Sequence, residues 1–351
     1  MGPRLLVADP AGPRYKLAAG NILAKGLMVE ERILVTGAPG WLGTGLVRQL
    51  VSSGRCVRCL VHPTADPSVL PSECELVRGD IRDRGQIDPA VRDVSLVYHL
   101  AAIIHAARTS RIEGINVQGT RNVVEAAARA GVRRLLLMSS NAAQGSPEGQ
   151  IMNEDDPPMR PESAYGRSKY RAEMIVREYS GRIETVVIRA PMFYGPGQPP
   201  RMTKLMRMVR AGRPPVFGRG DNLRSMAFLP KVVEALILAG STPAAAGHVY
   251  WVADEHPYTT IEVLQGIATA MDADLRIVRL PRLIARACEI SDQVLERSGV
   301  HSMNLHVVGE SIRWIACSVE KAKRELGYKP ATNLVDGLRE AVEWCRQRTL
   351  L

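Results

Sequence analysis

SAYGRSKYRAE, Ser163 to Glu173, sets Tyr165 and Lys169 four residues apart in a polar, helix-like run. On a helix that interval stacks the two side chains on one face, a phenol beside an ammonium. The pair is a candidate for proton transfer. A solvated helix face has the same make-up, and the interval alone does not choose between them. A second candidate is ILVTGAPGWLGTGLV, where Gly37, Gly40 and Gly43 close an aliphatic run and open an amphipathic one. Glycines at a strand-to-helix turn let the backbone bend tightly and let a pyrophosphate approach the helix N-terminus, where free N–H groups and the dipole favour an anion. That context predicts a dinucleotide site. CVRC, with Cys56 and Cys59, has the spacing of a metal pair, yet it falls in an aliphatic strand. Positions i and i+3 of a strand point to opposite faces, so the two thiols do not share an ion, and no metal is expected.

The elements that must position these residues follow from the hydrophobic pattern. RILVTG, CVRCLV, ELVRGD, SLVYHLAA, RLLLMSS and TVVIRAP are short, rich in Val, Ile and Leu, and closed by Gly, Asp, Ser or Pro. Between them lie amphipathic stretches such as LGTGLVRQLVSS and INVQGTRNVVEAAARAG, the latter ending in Gly131 as a C′ residue. Continuous apolar strands alternating with helices predict an α/β fold with a doubly wound parallel sheet of the Rossmann type. This dinucleotide-binding domain is expected over 28–190. From 191 to 351 the rhythm changes, through YGPGQPP and the basic TKLMRMVRAG, to a smaller and mainly helical substrate lobe, with some segments returning to the first domain. Within it, PRLIARACEISDQVLERSG mixes arginines with Glu289, Asp292 and Glu296, which reads as a lobe helix rather than a membrane-contacting segment. Residues 1–27 precede Met28 and VEERILVTG, and are expected to be an appendage outside the fold.

The net charge is +10, with 46 Lys+Arg against 36 Asp+Glu, but no run of five basic residues occurs. A phosphate-bearing ligand accounts for that balance, and no nucleic-acid partner is expected. No stretch has the length of a membrane span, and the N-terminus lacks a signal-peptide core. Six scattered cysteines read as small buried hydrophobes of a reducing compartment, so a cytoplasmic location is expected.

The glycine spacing is G-x-x-G-x-x-G rather than G-x-G-x-x-G, and as TGAPGWLG it resembles the extended branch of the short-chain dehydrogenase/reductase superfamily, the NAD-dependent epimerase/dehydratase type. GDIRD (Gly79–Asp83), YHLAA (Tyr98–Ala102), NVQGT (Asn116–Thr120), LMSSNAAQG, IRAPMFYGPG and ELGYKP follow in the family's order, covering about Arg32 to Trp344. The resemblance implies a cofactor site of Gly37, Gly40, Trp41, Leu42, Gly43, His62, Asp80, Ile81, Leu100, Ala101 and Ala102, with Tyr165 and Lys169 reaching the same ligand. It implies Tyr165 as acid/base, Lys169 as the cation that lowers its pKa from the usual ~10, and Ser140, five residues before Gly145, as the hydroxyl that orients the substrate. A homodimer is a further implication. NAD or NADP is the implied cofactor. Val61 and His62 stand where a carboxylate would signal NAD, and that absence tilts the reading slightly to NADP, although no arginine sits at the same point and Arg58 is only close by.

Asn141 and Ala142 follow Ser140 where the family's 4,6-dehydratases carry an Asp-Glu pair, which argues against that reaction. Ser140, Asn141, Met192 and Arg224 are the candidate substrate contacts. Arg224 matches the arginine that epimerases place on a nucleotide diphosphate, whereas Met192 replaces an Asn with a side chain that cannot donate. Three readings follow. The first is an NAD(P)-dependent epimerase or dehydrogenase acting on a small molecule, a nucleotide-linked sugar. The second is a ketoreductase or 3β-hydroxysteroid-type dehydrogenase. The last is a non-catalytic dinucleotide-binding subunit, against which the intact Tyr165/Lys169 pair argues.

Overall fold

The computed structural model describes residues 31–351 apart from 146, 158–160, 162, 301 and 332, so the expectation for residues 1–27 lies outside the described residues. The six aliphatic runs form strands β1 (Arg32–Thr36), β2 (Cys56–Val61), β3 (Glu75–Arg78), β4 (Val94–His99), β5 (Arg134–Ser140) and β6 (Glu184–Ala190). A seventh, β7 (Val249–Trp251), returns from the later part of the chain to pair with β6. All neighbours are parallel and the order is β7-β6-β5-β4-β1-β2-β3.

Each strand feeds two cores. Ile33 and Val35 enter one cluster while Leu34 enters the other, and Leu136 and Met138 alternate with Leu135 and Leu137 in the same way. The period-two arrangement on a doubly covered sheet explains why these strands read as unbroken aliphatic runs. Helices of eight residues or more are α1 (Trp41–Ser52), α2 (Thr120–Arg129), α3 (Ala164–Glu178), α4 (Pro200–Arg210), α5 (Leu229–Ser241), α6 (Thr260–Met271), α7 (Arg282–Arg297), α8 (Met303–Glu310) and α9 (Leu334–Arg346). α1 and α5 cover the first face, and α2 and α3 the second. α4, α6 and α9 enclose a third cluster around Tyr194, Phe228 and Leu338, with three two-stranded ladders beside it. This is the mainly helical lobe.

One local expectation is met in detail: Gly131 follows the end of α2 with φ of 72°. Thr259 caps α6 through a capping box with Glu262. One is corrected: INVQG does not start an α-helix but forms a π-turn over Gly114–Gly119 that leads into α2. Cys56 and Cys59 lie on β2 with Cys59 fully buried, and the described cysteines are free thiols.

α3 is fastened to the sheet by buried charge. Arg189 donates to Glu173 through Nε at 3.0 Å and a terminal nitrogen at 2.7 Å, and Ser139 Oγ donates to the same carboxylate at 2.5 Å. The other Arg189 nitrogen donates to Gln144 Oε1, which also accepts from the Trp251 indole. Removing one partner strands the other charge without water. Glu173→Gln is therefore expected to lower unfolding free energy by about 3–5 kcal/mol in a denaturant titration. A loss within the range of a surface substitution would mean that Arg189 does not depend on Glu173.

Candidate active site

The expected cofactor residues gather at the carboxyl ends of the parallel strands, where an open α/β sheet binds its ligand. Gly37 leaves β1 with φ of 87°, and a Cβ there would stand 2.6 Å from Ala101 N and 2.7 Å from the Leu100 carbonyl carbon. A Cβ on Gly40 or Gly43 would meet the Gly37 carbonyl oxygen at 2.7 Å. The three glycines thus allow one another and the Leu100–Ala102 loop to close in. Trp41, Leu42 and Gly43 form the first turn of α1, whose N–H groups have no helical carbonyl before them. The Trp41 side chain turns away, donating from Nε1 to Pro196 O at 2.7 Å and so tying α1 to the YGPG turn.

At the ribose end, β2 stops at Val61 and His62 lies half exposed, with Nδ1 2.9 Å from Thr64 Oγ1 and Nε2 3.4 Å from Asp80 Oδ2. Asp80 is clamped by Arg82, whose hydrogen bonds hold its carboxyl down to about 2. Ile81 is buried against Gly119, where a Cβ would come within 2.5 Å of its side chain. Arg58 is not at this end. It is buried, bonded to the Ala90 and Arg92 carbonyls and paired with Glu75, so it takes no part in cofactor choice. Arg78, which the sequence reading passed over, donates to the His62 and Ala65 carbonyls and shapes the loop after β2.

At the chemical end, Ser140 is the last residue of β5 and the N-cap of the Asn141–Gln144 turn, with Oγ donating to Asn141 Oδ1 at 3.2 Å. Tyr165 is half-buried in the first turn of α3, which Ser163 caps. Gly166 follows it because a Cβ there would sit 2.5 Å from the Ala142 carbonyl oxygen, so the Tyr165 turn can press onto the Ser140 turn. Lys169, one turn on, is buried and donates from Nζ to the Met138 carbonyl at 2.5 Å, two residues before Ser140. Burial lowers its ammonium to about 8, against the opposing pull of Glu173. Ser140, Tyr165 and Lys169 are thus brought together by β5 and α3.

Two supporting residues carried only a motif signal. Asn116, in the π-turn, bonds both backbone groups of Ile103 and donates to Ser168 Oγ at 2.9 Å, and Ser168 donates to the Tyr165 carbonyl at 2.7 Å. His99 is buried between Thr36 Oγ1 at 2.8 Å and Thr120 Oγ1 at 3.0 Å. Thr120 gives its hydroxyl proton to the Asn116 carbonyl, so it accepts from His99 Nε2–H, which leaves Nδ1 to accept from Thr36. The network assigns a neutral ring. Burial, then the Lys169 charge, pushes its pKa down to about 3.

Met192 and Arg224 stand in the lobe's ladders. Met192 pairs with Met226 and packs on the lobe core. Arg224 is partly buried and donates from one terminal nitrogen to the Glu310 carbonyl at 2.5 Å. Lys231, on α5, pairs with Glu234 as a helix-surface residue does.

Residues 33–253 match the model of the NAD dependent epimerase/dehydratase family, and the chain belongs to that family. It is an enzyme of the extended short-chain dehydrogenase/reductase type. It is 36% identical to the uncharacterized protein y4nL of Sinorhizobium fredii, over 89% of this chain and 94% of that one. It is 28% identical to a UDP-glucose 4-epimerase of Vibrio cholerae (90% and 95% covered) and 26% identical to a 3-beta-hydroxysteroid dehydrogenase of Mycolicibacterium neoaurum (89% and 91% covered). The structure of MoeE5 in complex with UDP-glucuronic acid and NAD superposes with a TM-score of 0.71 at 27% identity, covering 90% of this chain and 99% of that one. The residues at the strand ends fit such a dinucleotide: Gly37, Gly40 and Gly43 let the turn close on itself and on the Leu100–Ala102 loop, beside first-turn N–H groups that can receive a phosphate.

Gly166→Ala is expected to cost at least about tenfold in kcat by shifting Tyr165. Gly181→Ala, with nothing within 4 Å of its Cβ, serves as the control. Equal activity of the two variants would remove the steric role of Gly166. His99 binds no proton in the fold until about pH 3 but titrates at 6.5 when unfolded, so its share of stability is lost as pH falls from 6.5 toward 3. His99→Gln should flatten the decline of Tm over that range; an unchanged slope would assign the acid limb to other groups.

Proposed function

We propose that this protein moves hydride at a secondary alcohol or ketone carbon with Tyr165 as acid/base, and that its substrate is a nucleotide-linked sugar. The observation that carries the reading is the buried Lys169 ammonium one turn beyond Tyr165 and anchored beside Ser140. A bound dinucleotide supplies the hydride acceptor or donor. Tyr165 Oη gives a proton to the substrate oxygen, or takes it, as the carbon changes oxidation state. A free phenol titrates near ~10, and the adjacent cation stabilises the phenolate, bringing the group toward the working pH. Ser140 Oγ orients the same oxygen. Below about pH 8 Lys169 keeps its charge, and above that the support for the phenolate weakens.

The substrate assignment rests on Arg224, a partly buried fork suited to diphosphate oxygens, and on likeness to proteins whose names carry UDP-sugars. Met192 supports a second reading. Its apolar contact with the lobe core suits a reductase or 3β-hydroxysteroid-type dehydrogenase acting on an uncharged ketone or alcohol. For the cofactor we lean to NADP over NAD, since His62 rather than a carboxylate follows β2. On this reading the 28–190 segment holds the cofactor and 191–351 mainly the substrate, in a cytoplasmic homodimer.

Tyr165→Phe should abolish turnover while leaving dinucleotide affinity within about twofold, measured by fluorescence titration and steady-state assay. Retained turnover would remove Tyr165 from the chemistry. UDP- and dTDP-sugars should raise Tm in the wild type and not in Arg224→Met. No shift in either protein, with loosely held NADP, would favour the reductase reading.

A further inference from the structure

The inward side of α7 is acidic. Glu289, Asp292 and Glu296 side chains are only 11%, 8% and 4% exposed, while Leu283 on the same helix is 79% exposed. A lobe helix ordinarily buries its aliphatic stripe and wets its charges. Glu289 is answered by Arg313, whose Nε donates to it at 2.8 Å. Gly309 of α8 lets the two helices meet there, since a Cβ would stand 2.9 Å from Glu289 Cα. Asp292 and Glu296 follow one turn apart, and with His306 of α8 they bring three ligand-type atoms within 4.8 Å of one another. His306 Nδ1 lies 2.9 Å from Asp292 Oδ2. Glu296 accepts from the Ala164 N–H at 2.7 Å and has Arg167 at 3.5 Å. Two carboxylates at this interval on a helix repel, and more strongly out of water. Arg167 is half exposed and offsets that charge only from its edge.

A second imidazole stands beside these three groups. The His105 ring lies 5.6 Å from that of His306 at an angle of 72°, and its Nε2 is shut from solvent. His105 comes from the loop after β4, so the donors converge from two helices and a separate loop. Zinc bonds to carboxylate oxygen and imidazole nitrogen at about 2.0–2.2 Å, which sets ligands of a tetrahedral shell about 3.4 Å apart. Small side-chain rotations reach that spacing from a cluster this tight. Mixed nitrogen and oxygen donors suit zinc, whereas calcium and magnesium take oxygen shells. We propose that Asp292, Glu296 and His306 bind one zinc ion, with His105 beside the fourth position. The ion supplies the positive charge that two neighbouring buried carboxylates call for. It ties α7 to α8 and, through Glu296, to Ala164 and Arg167 on either side of Tyr165. Its role is to hold that turn in place, outside the hydride step.

Zinc uptake by the untagged full chain, stripped with a chelator and dialysed, tests this. Calorimetric titration with zinc chloride should show one zinc per chain that depends on these residues. Tm should rise by about 3–5 °C at roughly a hundredfold excess over Kd. His306→Gln and Asp292→Asn should each weaken that binding by about tenfold or more, the least that even outer partners of a metal ligand contribute. Arg286→Gln, exposed on the same helix, should leave it unchanged. His306→Cys keeps a zinc ligand in place, so it should still bind, and its cobalt form should gain a sulfur-to-metal absorption over the wild type. That variant carries the test if His306→Gln does not fold. No zinc uptake by the wild type, equal affinity in His306→Gln, or no added absorption in cobalt-loaded His306→Cys would overturn the proposal. So would magnesium bound as tightly as zinc, which would exclude the imidazole from the shell.

Discussion

A single buried positive charge organises this molecule. Lys169 is almost wholly removed from water, and burial alone would drive its ammonium toward neutrality. Two features resist. The Met138 carbonyl accepts from Nζ, and Glu173 lies one turn further along α3. Glu173 is itself held by both forks of Arg189, so the buried set contains two cations and one carboxylate. Its excess of positive charge remains for whatever faces Lys169. One such neighbour is His99, which the lysine helps to keep neutral and which the two threonine bonds fix in one tautomer. The other is the Tyr165 turn.

The remaining architecture makes that charge usable by fixing distances with backbone rather than with side chains. Gly37 brings the ends of β1 and β4 together, Gly119 admits Ile81, and Gly166 admits the Ala142 carbonyl. At each of these contacts a methyl group would need space already occupied, so the strand ends, the glycine turn and α3 close into one rigid edge. Asn116 extends that rigidity across the π-turn to Ser168 and hence to the Tyr165 backbone. A proton carrier needs its position held within a few tenths of an ångström, and a packed backbone supplies this better than a mobile surface helix.

What was legible in the sequence was what depends on neighbours in the chain. The six strands, the glycine turn and the Gly131 stop follow from local pattern, and the family resemblance then selects Tyr165, Lys169 and Ser140 as candidates. What was hidden depends on distant partners. A helix and the Gly114–Gly119 π-turn share one hydrophobic period, and the difference is made by Asn116 reaching Ile103 and Ser168. Arg58 lies near the cofactor edge in sequence, but its strand position points it into carbonyls at the far end of the sheet. Periodicity likewise shows that α7 has an apolar and an acidic face, while saying nothing about which one meets the protein.

That last ambiguity separates two styles of construction in one chain. The sheet and its helices are joined by aliphatic packing, reinforced at α3 by the buried Arg189–Glu173 pair, and this holds the strand ends in place. α7 is joined through Glu289, Asp292 and Glu296, each bond depending on a specific partner. The groups of such an attachment regain hydration when it loosens, so it suits an element that answers to a ligand. Because Glu296 accepts from Ala164, one residue before Tyr165, any rearrangement of α7 is felt first at the turn that carries the candidate proton donor. Glu296 also pairs with Arg167, two residues after Tyr165, so a single buried carboxylate of α7 holds the first turn of α3 through both backbone and side chain.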